Sequence, residues 1–212
     1  MTTLTDFITR VRYDLRDTDP EDSLFSDESL HRHIMNALRA FSTHIPREVK
    51  TTLITTSGSR DISITSLSNR ISIEAVEYPV DQFPKEYVRF SLWQDTLTLL
   101  TDSAPTGSQN VYVYWTSVHL LDPTQSTVPT WAEDILSAGA VGFAAGAFAS
   151  ASAYRHTPKA DTARAYSDLS KERLNYFYSE LKKHGRFGQL RTKALYTPAE
   201  SLLPSQSTDP GP

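Results

Sequence analysis

The feature of this sequence that most restricts its fold is a double change of hydrophobic period. Up to residue 48 the apolar residues recur every three to four positions, from 49 to 121 they alternate, and from 122 to 185 the helical spacing returns. Leu4, Phe7, Ile8, Val11 and Leu15 mark a first helix, with Thr5 or Asp6 placed to cap it. After a polar, acidic connection, Ser26 caps a second helix whose Leu30, Ile34, Ala37, Leu38 and Phe41 share a face. Ile45-Pro46 ends it, because a residue before proline avoids the helical region. Alternating runs follow at 51–56, 61–65, 71–78, 87–93, 96–100 and 110–115, punctuated by Gly, Pro, Asn and Asp. Two more helices are expected, one opening near Thr130 and running to 154, the other from Ala160 to a stop at Gly185.

This order predicts an α+β chain, in which the N- and C-terminal helices form a helical bundle and an antiparallel β-sandwich or small barrel is inserted between them. Insertion is favoured over a separate β domain because neither helical pair is long enough to bury both of its faces alone. The expected divisions are 1–48 for the N-terminal helices, 49–121 for the β-module and 122–185 for the C-terminal helices. Residues 186–212, rich in proline and polar spacers, form an extended tail that a partner would order.

Composition removes several classes of function. The chain has no cysteine, which excludes a disulfide scaffold, a thiol nucleophile and any sulfur-ligated zinc site. With 21 Lys and Arg against 25 Asp and Glu, phosphate gripping is not its main task. No secretory leader is read at the N-terminus. The charge-free run 135–154 is long enough to test as a membrane span, but it is dominated by Ala, Gly and Ser, and we expect no membrane insertion. Its Gly139, Gly142 and Gly146 instead suggest a helix that lets another backbone approach closely, with a neighbouring subunit slightly favoured over a helix of the same chain.

Specific chemistry finds little support. No Gly-x-Ser-x-Gly elbow is present, and His31, His33, His44, His119, His156 and His184 form no metal-ligand spacing. We therefore expect no catalytic residues, no cofactor and no metal, with one weak exception. Asp17, Asp19, Glu21 and Glu28 fall at calcium-loop positions one, three, five and twelve, but Asp22 stands where the sharp turn needs glycine. A solvated interhelical turn explains that loop better. The basic run Lys182, Lys183, Arg186, Arg191, Lys193 suits a helix C-terminus followed by a solvated tail. Trp115 and Trp131 are expected in the core, and a carbohydrate-binding surface would need them exposed together with Trp93.

The run Ser26-Asp-Glu-Ser-Leu-His-Arg-His-Ile-Met-Asn-Ala-Leu-Arg-Ala-Phe resembles the second-helix signature of tailed-bacteriophage head–tail connector (adaptor) proteins. Glu74-Ala-Val-Glu-Tyr-Pro-Val and Pro84-Lys-Glu-Tyr-Val-Arg-Phe look like the β-module of related neck proteins. So does the join from Ser126-Thr-Val-Pro through Glu133 to Gly139-Ala, and the similarity spans most of residues 1–185. The resemblance implies a non-enzymatic virion protein, made in the host cytoplasm and placed at the neck. It implies a homo-oligomeric ring, commonly of twelve subunits, that docks on the portal protein and continues its DNA channel. The next neck or tail-completion protein is then a further partner, and DNA passes only as cargo. In several such adaptors the C-terminal segment is clasped by the portal, a role that Phe187, Leu190, Arg191, Leu195, Tyr196, Leu202 and Leu203 match by composition and position. A tail-completion or terminator ring is the alternative within this class, and a β-sandwich carbohydrate-binding module the alternative outside it.

Overall fold

The computed structural model describes residues 2–19, 21–153 and 160–185. Its elements run α1 (Leu4–Leu15), α2 (Asp27–His44), β1 (Arg47–Ile54), β2 (Asp61–Ser63), β3 (Arg70–Glu77), β4 (Phe90–Trp93), β5 (Thr96–Leu99) and β6 (Asn110–Ser117), then a 3-10 turn (Thr130–Ala132), α3 (Glu133–Ala153) and α4 (Ala160–His184). The fold is mixed α+β. One compact unit takes the chain up to Arg47 together with the stretch from Val118, and the other takes Glu48–Ser117.

In the helical unit, α1 opens with a capping box. The Thr3 hydroxyl accepts from the Asp6 N–H, and the Asp6 carboxylate accepts from the Thr3 N–H at 2.7 Å. The cap is therefore Thr3, two residues ahead of the nearest residue the spacing suggested, and Asp6 serves from inside the first turn. Ser26 caps α2 by accepting from the Ser29 N–H. The buried faces of the four helices, among them Phe7, Val11, Leu30, Ile34, Leu38, Phe41, Leu136, Val141, Phe177 and Leu181, form one apolar cluster. Each such side chain contributes about 1.5–3 kcal/mol by leaving water. Around its edge, Arg10 of α1 bonds Glu133 and Asp134 in the first turn of α3.

In the β unit, β6 lies between β1 and β3, and β5 lies between β2 and β4. Alternation along β6 turns Val111, Val113 and Trp115 inward, where they meet Ile62, Leu97 and Leu99 from the other sheet, and Ile64 just beyond β2, in a second cluster. The expected strand over 87–93 is shorter, beginning only at Phe90. Its first residues pair elsewhere: Tyr87 bridges Glu77 and the Val88 N–H bonds Val76, whereas Arg89 already accepts from Leu100 beyond β5. The chain crosses between sheets at this point, so one continuous ladder cannot form.

Candidate assembly surfaces

The small residues of α3 meet α4 of the same chain in an antiparallel seam. A methyl group built on Gly139 would stand 2.8 Å from the Phe177 ring, one on Gly142 2.7 Å from Leu174, and one on Gly146 2.8 Å from the Ser170 hydroxyl. Going up α3 by three and then four residues thus goes down α4 by the same steps. Ser170 donates to the Gly142 carbonyl at 2.8 Å, a bond possible only where the backbones come close. The sequence slightly favours another subunit as the neighbour for this stripe, but within the described residues α4 takes that place. By length and apolarity the helix Thr130–Ser152 could cross a membrane, and 56% of its most apolar window is buried inside the unit.

The acidic connection is organised around Asp17, which is buried. One of its oxygens accepts from the Leu24 N–H at 2.7 Å, and the other from Arg12 at 2.7 Å and the Phe25 N–H at 3.2 Å. Arg12 also holds Asp27 and the Phe25 carbonyl. Asp17 thus closes the base of the loop, and Asp19, itself exposed, accepts from the Glu21 N–H two residues on. Glu21, Asp22 and Glu28 are exposed. Among the described residues no group of three or more His, Asp or Glu side chains is arranged to hold a metal ion.

The tail residues Phe187, Leu190, Arg191, Leu195, Tyr196, Leu202 and Leu203 lie outside the described residues, as do Arg186, Lys193 and His156. Of the basic run, Lys183 pairs with Glu180 one turn earlier. Trp115 is buried, with its indole N–H donating to the Thr51 hydroxyl at 2.9 Å. Trp131 departs from expectation, being 55% exposed. It falls in the 3-10 turn ahead of α3, off the helix's buried face, and its ring lies 4.9 Å from that of His184.

The β unit adds features that the sequence alone does not point to. On the face of β6 opposite its apolar side, Tyr112 and Tyr114 stand beside Glu77 of β3. Glu77 is only 1% exposed, accepts from the Tyr114 hydroxyl and the Asp81 N–H, and lies 3.5 Å from Lys85. Burial pushes its carboxyl up, but these donors and the lysine outweigh burial and hold it below the usual range. Lys50 of β1 sits 3.4 Å above the Tyr112 ring and Tyr112 donates to Asp81, so the cluster is internally compensated. The alternation in 110–115 already places both tyrosines on one face, but which acid they meet depends on the β3–β6 register. Two large apolar side chains of the unit are also exposed. Phe83, in the loop after β3, is fully exposed, and Trp93, at the tip of the β4–β5 hairpin, is 80% exposed.

No family model matches the sequence, and no curated protein matches it. Among solved structures, the chain is similar to one described as the neck of an empty GTA particle computed with C6 symmetry, at 14% identity and a TM-score of 0.31, over 64% of this chain and 76% of that one.

Proposed function

We propose that this protein is a virion structural protein of the head–tail interface, an adaptor that assembles as a ring, docks on the portal and extends the DNA channel toward the tail. The observation that supports this reading is the inserted architecture. A helical unit built from the two flanking parts of the chain carries a β unit between them, over the same residues whose sequence resembles phage connectors. Its work is assembly and has no catalytic step. The seam between α3 and α4 stiffens the helical unit, and Phe83 and Trp93 offer aromatic anchors of the kind that fill partner pockets. The tail from 186 to 212 supplies the anchor to the portal.

The test is the native mass of the chain, alone and mixed with its portal. A ring, or a 23.7 kDa monomer that joins the portal in symmetry-related stoichiometry, supports the reading. A monomer indifferent to the portal overturns it. Deleting 186–212 is expected to leave a folded subunit that no longer docks, and a truncated chain that still docks would remove the tail from the account. A tail-completion ring would assemble without engaging the portal. The carbohydrate-binding alternative needs three tryptophans exposed together, whereas Trp115 is buried.

A further inference from the structure

The outer face of α2 carries cations that nothing described in the chain neutralises. Ser26, Glu28, Ser29, His31, Arg32, Met35, Asn36 and Arg39 line a concavity there. Arg32 and Arg39 are exposed and lie two turns apart, about 10.5 Å along the axis at 1.5 Å per residue. Neither forms an ion pair among the described residues, although Arg10, Arg12 and Arg70 all do. Between them Met35 is half-buried, which gives the groove an apolar floor, and Glu28 is the one acid among the lining residues.

The opposite chemistry stands on the loop before α2. Asp17 fixes the base of that loop through Leu24, Phe25 and Arg12, and the exposed residues 19 and 21–24 beside these bonds form an acidic knob. Asp19, Glu21 and Asp22 are exposed there and make no ion pair among the described residues. Leu24 beside them is 50% exposed, although the next residue, Phe25, is buried in the core. The knob is thus an apolar side chain flanked by acids, and the groove an apolar floor flanked by arginines.

We infer that copies of this chain associate by seating the acidic knob of one (Asp19, Glu21, Asp22, Leu24) in the basic groove of the next (Arg32, Met35, Arg39). Leu24 would cover Met35 while the carboxylates face the two guanidinium groups. The inference deepens the ring reading by naming a subunit contact, and it rests on that reading only for the symmetry that results. Such a contact draws its apolar gain from a small centre and its selectivity from charge at the rim. It therefore weakens as salt rises, because exposed charges are screened over about 8 Å at physiological ionic strength.

The experiment compares native mass and dissociation constant for the full-length chain, Arg32→Glu/Arg39→Glu, Glu21→Lys/Asp22→Lys, and the four combined. All four positions are exposed and Asp17 is untouched, so circular dichroism should show each variant folded. Either pair alone places like charges together and is expected to raise the dissociation constant at least about tenfold. The combined variant, with both partners reversed, should recover assembly. An oligomer that persists unchanged in both pairs overturns the contact and leaves the ring standing. A wild-type dimer that the reversals dissociate upholds the contact and overturns the ring, and a wild-type monomer at every concentration overturns the contact while leaving the ring to the portal-mixing experiment.

Discussion

Two buried histidines, His33 and His119, set how the helical unit answers to mild acid. Burial holds both below the ordinary imidazole value, and neighbouring Arg32 and Arg47 push in the same direction. The Nδ1 of His33 has no hydrogen-bond partner among the described residues. His119 faces the Thr127 carbonyl at 2.8 Å and the Ile45 carbonyl at 3.0 Å, contacts that favour the protonated ring but do not overcome burial. Because the folded values are depressed, the unfolded chain binds protons first as pH falls below 6.5. Stability is then full above 6.5 and declines below it, until the folded histidines also titrate. Glu77 adds a separate loss, confined to below 4.5, because its stabilising contribution disappears as pH falls through its lowered folded value. Urea midpoints measured from pH 8 to pH 5 should fall over the acid half of that range, and His33→Gln/His119→Gln should flatten the slope. A wild-type midpoint independent of pH across this range would refute the account.

The pairing of α3 with α4 makes the glycines of α3 unequal. In an exposed helix Gly→Ala would stabilise by about 1 kcal/mol. At Gly142, however, the new methyl would meet both the Leu174 side chain and its backbone N at 3.2 Å, and backbone cannot step aside. Gly142→Ala is therefore expected to cost about 1–3 kcal/mol, and Gly146→Ala less, since only the Ser170 hydroxyl stands in the way. Urea unfolding of the two variants checks both the sign and the order. Most helices and strands were legible, because period and caps are local: Leu30 to Phe41 repeat as a helix face wherever that helix packs. Partners were not local. That Gly139 meets Phe177, or Glu77 meets Tyr114, depends on a register between segments far apart in sequence. Trp131 was misplaced for a related reason, since a 3-10 turn ahead of a helix shares its composition but not its buried side.

The two apolar clusters share no residue, and the helical one closes around its own insertion point. The His119 N–H donates to the Ser42 hydroxyl at 3.0 Å, its ring contacts the Ile45 carbonyl, and the Phe41 ring lies 5.4 Å away. The chain leaves the helical unit at Arg47 and re-enters at Val118, so both crossings lie next to this clasp. Loop closure is entropically shallow, with about 0.6 kcal/mol for each doubling of length. Replacing 48–117 by a short Gly/Ser linker is accordingly expected to leave a cooperatively melting helical protein. A molten product would show that each cluster needs the other. The inserted arrangement itself was legible from the two changes of period. The clasp was not, because nothing in the spacing of His119 points to Ser42. For the descent of such a chain the two separate clusters have a further consequence. A substitution inside the apolar cluster of the β unit replaces no side chain of the helical cluster, so the two cores can accumulate changes at different rates.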